Sequence, residues 1–439
     1  MAPTTFTISD VRIFTGKEVI DFGYVTVNDG IISDVSSGSP PSETVGLVIS
    51  RPGHTVIPGL IDAHMHAQGN DLALIQSLQF GVTTVQDMHN ETANVHKMKK
   101  IAAAKKDEAS DFKAAGVAAT IEGGWPMAVV LAIDKSEQVR IDGPYNPIQL
   151  KRKTDFNQTA ADVATWPKLK SPAEAEEYVA FNLSPAGGAD FIKLMHESGS
   201  AVGKSISKPS LNIQKALIKA THEAGRIAVA HCFGRADTLE MLSLGIDGLA
   251  HTFMDEPVNE EIIKGYKKSG AWCNPTLALL GSFTTEGEAL AKRFANDERV
   301  KDKLAATDHD TMCRCMSFAT ANATVQYAYE TVRRLKAEGV PIIVGSDAVG
   351  PGLGTAYGAT VHQEMYLLVK ECGFSPQDAI RSATTVTAEV FGLEDRGEVA
   401  QGLKADLVLV EGNPVDDIDA TLNIKSVWRD GILAKGFQV

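Results

Sequence analysis

Apolar residues recur along this chain with two different periods, and the switches between them divide it into three parts. From residue 4 to 57 the apolar runs are short and bounded by turn residues. Phe6-Thr7-Ile8 and Val11-Arg12-Ile13-Phe14 precede Gly16, and Tyr24-Val25-Thr26-Val27 leads through Asn28-Asp29-Gly30 into Ile31-Ile32-Ser33-Asp34-Val35. β-Branched and aromatic runs separated by an Asp-Gly turn predict strands and a hairpin. From residue 58 onward, apolar runs of strand length alternate with segments of 3.6-residue period. The predicted strands are 60–66, 82–87, 115–119, 190–195, 226–231, 247–251, 271–275 and 340–346. Helical periodicity covers 71–79, 173–183, 211–223, 235–243 and 325–338, with a last helix near 376–391. Strand texture then returns over 406–410, 424–428 and 432–433.

Eight strands alternating with helices predict an α/β fold, a (β/α)8 TIM barrel, in preference to a doubly wound open sheet. Neither strand-rich end is long enough for a stable core of its own. The two ends are therefore expected to pair into one small β-sandwich, residues 1–57 and 396–439, beside a barrel of residues 58–395. Two long stretches, 120–171 and 276–324, interrupt the alternation and are expected to cover a site.

Composition narrows the class. A hydrophobic fraction of 44% and a charged fraction of 22% are those of a globular protein. The net charge of −13 argues against nucleic acid or an anionic membrane as partner. No apolar run reaches the ~18 residues that span a bilayer, and residues 1–5 lack the basic start and apolar core of a signal peptide. The five cysteines, Cys232, Cys273, Cys313, Cys315 and Cys372, contain no CxxC pair and read as reduced thiols of a cytoplasmic protein.

Candidate chemistry gathers where the predicted strands end. Residues two apart in a strand point the same way, so His64 and His66 offer two imidazoles to one point. Imidazole is a common zinc ligand, although His-x-His alone is weak. In a barrel of this kind catalytic residues sit at the C-terminal strand ends. Those ends also carry Lys193 (fourth strand), His231 (fifth), His251 (sixth) and Asp347 (eighth). One polar residue at a strand end is usually just solvated; six on five strands at one rim form a donor set suited to Zn2+, or to Fe or Mn. No Gly-x-Ser-x-Gly elbow is present, since Gly345-Ser346-Asp347 is not one. Gly123-Gly124 and Gly350-x-Gly352-x-Gly354 make no nucleotide fingerprint and read as loop hinges.

The motifs TVIPGLIDAHMH, GADFIKLMHESGSAVG, HEAGRIAVAHC, GIDGLAHTF and GVPIIVGSDA, with NDGIISDV before them and GEVAQGLKADLVLVEGNPVDDI after, span nearly the whole chain. In them the chain resembles the amidohydrolase superfamily, within it the imidazolonepropionase-like group that includes Xaa-Pro dipeptidases and ochratoxin-cleaving amidases. The resemblance implies a hydrolase acting on an amide, a dipeptide-like bond or another C–N bond of a small molecule, through a metal-bridged hydroxide. It implies two divalent ions, zinc first: His64, His66 and Asp347 on one, His231 and His251 on the other, with a carboxylated Lys193 bridging them. A single-metal site with Lys193 as an ordinary cation beside Asp347 is the alternative. Asp347 would take a proton from the attacking water and pass it to the leaving nitrogen. An esterase or lactonase, or a ring deaminase, would use the same fold, but deaminase relatives usually lack the strand-four lysine. A non-catalytic relative would have lost several ligands, and all six positions are filled. Members of the superfamily are often oligomers, so the resemblance implies a homo-oligomer.

On the substrate side, His196 lies three residues past Lys193 and His89 follows the second strand, so both are candidate substrate contacts. Trp125 stands after Gly123-Gly124 where relatives often carry a histidine, which favours an apolar or aromatic wall there or, equally, a tryptophan that packs the loop down. Lys151-Arg152-Lys153 is a solvated basic run or a partner for a substrate carboxylate. His222, His309 and His362 fall in helical patterns and are expected at the surface or in packing, with His54 and His96 at the surface.

Overall fold

In this computed structural model, residues 5–44, 46–127, 160–349 and 353–438 are described. The chain opens with β1 (Phe6–Phe14), β2 (Val19–Asn28) and β3 (Ile31–Ser37). The two apolar runs before Gly16 are one strand, kinked at Asp10, whose φ is +59°, where the pairing with β2 shifts register. The β2–β3 turn has Asp29 and Gly30 at φ +48° and +82°, the left-handed pair that a tight hairpin demands. β4 (Leu47–Ser50) and β5 (His54–Pro58) then run parallel to β1.

Past Pro58 the strands become parallel. β6 (Leu60–His66), β7 (Val82–Asp87) and β8 (Asp111–Ala114) form one sheet, completed on the other side of β6 by β13 (Ala348–Val349). β9 (Ile192–Met195), β10 (Ala228–His231), β11 (Gly248–Ala250) and β12 (Trp272–Asn274) form a second. Single bridges join the sheets, Ala119 to Leu194 at one edge and Cys273 to Ile342 at the other. Residues 340–346, expected as the eighth strand, form no ladder although they lie between β12 and β6. Ile343 N–H donates to the Cys273 carbonyl and Ala63 N–H to that of Val344, both at 2.9 Å. Other donors are diverted: Val340 N–H goes to Leu335, Val344 N–H to Ser382 and Ser346 N–H to the Asp62 carboxylate. The third strand lies at 111–114, earlier than the expected 115–119, because the Ala118 N–H is taken by a histidine ring.

The helices between the strands begin where side chains cap them. Pro172–Asn182 is capped by Ser171 with proline in its first turn, and Leu211–Glu223 by Ser210. The expected helix near 376–391 is two, Pro376–Ser382 and Thr385–Val390, parted at Ala383, whose carbonyl accepts from Ile61 of β6. The stretch 276–324 carries four helices, Leu277–Thr284, Glu288–Ala295, Glu298–Lys301 and Ala306–Met312. Cys313 caps the last of these and Cys315 lies beyond it.

The chain closes with β14 (Leu407–Glu411), β15 (Ile424–Arg429) and β16 (Ile432–Leu433). β14 pairs antiparallel with β5, so both chain ends share one eight-stranded sheet in the order β16-β15-β14-β5-β1-β2-β3, with β4 also on β1. The strands of both chain ends thus pair into one continuous sheet. It must curl, because Phe6 of β1 and Trp428 of β15 stack at 5.3 Å although two strands lie between theirs. Inside the curl lie Ile8, Val25, Val56, Leu407 and Trp428. No helix among the described residues is long and apolar enough to cross a membrane.

Candidate metal centre

β6 delivers the first histidine pair. Its alternation turns His64 and His66 to one side, with Met65 between them in register with Ala348. The Asp347 N–H donates to the His64 carbonyl at 2.7 Å and Asp347 adopts a left-handed φ of +47°, which folds its side chain back to the pair. Asp62 secures this junction, accepting from His64 N–H and from both the N–H and Oγ of Ser346. The result is a compact triad. His64 Nε2 and His66 Nε2 are 3.3 Å apart and lie 3.2 and 3.0 Å from Asp347 Oδ1. Ligands bound tetrahedrally at 2.0–2.1 Å from one ion stand about 3.3 Å apart. The triad thus fits a metal ion of zinc size.

The second half comes from β10 and β11. His231 Nδ1 and His251 Nε2 approach to 3.1 Å, and His251 Nδ1 faces Thr276 Oγ1 at 2.6 Å and Asp347 Oδ2 at 3.5 Å. Asp347 therefore spans the halves, one oxygen toward each. Lys193 of β9 lies in the same interior, 1% exposed, and its Nζ has no hydrogen-bond partner among the described residues. A buried, unpartnered ammonium is costly, so the orphaned Nζ is the clearest sign that something else belongs here.

Burial sets the charge of these groups. It lowers the Lys193 amine to about 7 despite the opposing pull of Asp347. It holds His64, His231 and His251 well below the usual imidazole range, with the Lys193 charge adding to the effect. All three are thus neutral, the form that binds metal. At His66 burial also pushes down, but the bond and charge of Asp347 outweigh it and the net shift is upward.

The three expected substrate contacts divide. Trp125 lies flat on His231 at 5.0 Å and edge-on to Phe233. His89 is 3% exposed and packs edge-on to Trp166 at 4.6 Å. His196 departs from expectation. It is fully buried, with Nε2 2.6 Å from Glu240 and Nδ1 3.2 Å from Gln214, so both ring nitrogens are engaged within the protein. His196, Asp237 and Glu240 also cluster as metal ligands would, but Lys208 Nζ already bonds both carboxylates. His362 is buried, bonded to Thr421 and the Phe80 carbonyl, whereas His222 and His96 are exposed. Lys151-Arg152-Lys153, Gly350 and Gly352 lie outside the described residues.

Several neighbours escaped the sequence reading. Phe233 stacks on His251 at 4.3 Å. Glu197, 1% exposed and held by the N–H groups of Gly199 and Phe233, sits 3.7 Å behind His231 Nε2. Asp62 bonds the His64 N–H and Thr276 Oγ1 the His251 ring. Glu197 stands beside the noted His196, but nothing in the one-dimensional pattern shows it turning back toward another strand.

The profile of the amidohydrolase family matches residues 55–437, and that of the BsNagA composite domain matches residues 5–45. Ochratoxinase of Aspergillus niger is 25% identical over 259 residues, 57% of this chain and 47% of that protein. The chain thus aligns with about half the length of this relative. Among solved structures, a Xaa-Pro dipeptidase crystallised with methionine in its active site has a TM-score of 0.70 at 22% identity, covering 98% of this chain and 100% of that one. The structure of the A. niger ochratoxinase has a TM-score of 0.72 at 19% identity, covering 99% and 97%. At these identities the structural likeness establishes the fold alone.

Proposed function

The chain belongs to the amidohydrolase family, and from that premise we propose that it is a metal-dependent hydrolase cleaving an amide or dipeptide-like C–N bond in a small molecule. In this reading residues 58–395 are a (β/α)8 barrel, the two parallel sheets and the 340–346 segment making its wall, and the chain ends form the flanking sheet. The observation that carries the function is the gathering of His64, His66, Lys193, His231, His251 and Asp347 in one interior, with the Lys193 amine buried and unpartnered.

His64, His66 and Asp347 would hold one divalent ion and His231 and His251 a second, zinc being the best match to these donors. When bound, such ions supply Lewis-acid polarisation of a carbonyl and lower the pKa of water. Lys193, lowered to about 7, offers a neutral amine near neutrality. That amine can add carbon dioxide, losing a proton to become an N-carboxylate, which replaces a repelled cation by an oxygen donor between the two ligand sets. Asp347 faces both sets and can accept a proton at Oδ2, then return it to the leaving nitrogen. Thr276 and Asp62 hold His251, His64 and the Asp347 segment in place, while Trp125 and Phe233 present aromatic faces that exclude water.

The test is direct. Purified protein loaded with zinc should contain two equivalents per chain, show a carboxylated Lys193 in a crystal structure, and hydrolyse members of a panel of N-acyl amino acids and dipeptides. A chelator should abolish turnover and zinc should restore it. Turnover indifferent to chelation would overturn the metal-dependent reading. At most one equivalent of metal in active, fully loaded protein would overturn the two-ion site.

A further inference from the structure

His89 is held between two segments that carry residues of the site. It comes two residues after β7, and the intervening Met88 N–H donates to the Met65 carbonyl at 3.0 Å, which sets His89 close to the segment that carries His66. On its other side the Ala118 N–H donates to His89 Nδ1 at 3.1 Å, and the next residue, Ala119, donates to the Lys193 carbonyl at 2.8 Å. The ring is thus bracketed by the segments that carry His66 and Lys193. Because Nδ1 accepts from a backbone amide, it carries no proton, and the one hydrogen of the neutral ring must reside on Nε2. That Nε2 is fully buried and has no partner among the described residues. Trp166 packs against the ring in an edge-to-face pair at 4.6 Å and is itself anchored through its indole N–H to Glu91 at 3.2 Å. The ring therefore has little freedom to swing away and find a partner elsewhere.

A buried N–H without an acceptor is costly, and a fold keeps one where an acceptor arrives with a ligand. We propose that His89 is a substrate-positioning residue whose Nε2–H, fixed by the Ala118 amide, donates to a carbonyl oxygen of the substrate beside the metal-facing bond. The inference rests on the hydrolase reading above and adds the acceptor it selects for. A neutral donor in a dry pocket suits a neutral carbonyl better than a carboxylate, whose charge it would leave uncompensated. Burial holds the ring at a pKa of about 3, consistent with a donor that stays neutral.

The experiment uses the full-length, zinc-loaded protein labelled with 15N at histidine, and N-acetyl-L-phenylalanine as probe. Long-range 15N–1H spectra should show His89 as the Nε2–H tautomer, and saturating probe should shift that proton. His89→Phe should lower kcat/KM roughly 10–100-fold, the usual effect of leaving one buried group unpaired, with metal content unchanged. His89→Gln, which keeps an N–H at similar reach, should recover most of the loss. An Nδ1–H tautomer, a proton unmoved by probe, or a His89→Phe enzyme with full kcat/KM would each overturn the proposal. The first two readouts use the unaltered protein and need no variant to fold. If the probe moves the Nε2–H but is not hydrolysed, the positioning role stands and the hydrolase reading fails for this amide. If His89→Phe turns it over normally, the reverse holds.

Discussion

Asp347 holds a left-handed backbone, rare for a residue with a side chain, at the point where its carboxylate faces both histidine pairs. Strain of this kind persists where the surroundings enforce it, here the Asp62–Ser346 bonds immediately before it. Asp347→Asn keeps the shape and one oxygen donor but cannot take up a proton near neutrality. If the carboxylate is the general base, kcat should fall roughly 10²–10⁴-fold, with KM little changed and bound metal falling less because the histidines remain. Steady-state kinetics with metal analysis decide this; a variant with its metal and full kcat would remove Asp347 from proton transfer. The gathering of these six side chains was legible in the sequence because each is a polar residue closing an apolar run. Glu197, Thr276 and Phe233 were not, because their roles arise only when one strand end approaches another. His196 misled for the same reason: a histidine three residues past Lys193 was expected to overhang the mouth, but Glu240 and Gln214 draw it inward.

At the level of elements, the regular strands were legible wherever the backbone donors go to a neighbouring strand. The eighth was read as a strand from its apolar run, yet its ladder is broken by Asp62 and Ser382, partners no local pattern reveals. β11 is the most exacting element. It has three residues, carries His251 at its end, and passes Gly248 across the indole of Trp272. A Cβ at Gly248 would lie 2.1–2.4 Å from three atoms of that ring. Trp272 is only 4% exposed and is packed against Phe391, so it has little room to withdraw. Gly248→Ala should therefore cost about 1–3 kcal/mol, the usual penalty of overpacking, and shift β11 enough to weaken metal retention at His251. Denaturant unfolding and metal content after dialysis check both parts. A variant with unchanged stability would show that the ring yields freely.

Across the whole molecule, the pairing of the two chain ends was legible because each has strand texture and neither has a core. The order of strands within the resulting sheet was not, since it depends on contacts such as β5 with β14 between residues about 350 apart. A charge cluster at Asp111, the first residue of β8, helps tie this sheet to the parallel ones. Its carboxylate bonds Arg396 at 2.7 Å and Arg429 at 3.3 Å, arginines whose side chains are 3% and 4% exposed. Arg429 also donates to the carbonyls of Ala102 and Ala109. Asp111→Asn would leave two buried cations short of a counter-charge. The loss should be about 3 kcal/mol, the low end for breaking a buried pair, because Arg396 keeps Asp395 and sits 3.8 Å from Asp406. Burial pushes the Asp111 carboxyl up, but Arg396, Lys113 and Arg429 together bring it net below its ordinary 3.8. A carboxyl with a depressed folded pKa contributes stability that is complete above the unfolded value and is lost as pH falls through the folded one. The difference between wild type and Asp111→Asn should therefore be constant from pH 6 to 8, above both values, and shrink once the pH drops below about 4. Urea unfolding of both proteins at pH 7 and at pH 3.5 measures it. A difference under about 1 kcal/mol at pH 7, the range of an exposed pair, or one that grows as the pH is lowered, would show that Asp111 does not hold the two parts together through charge.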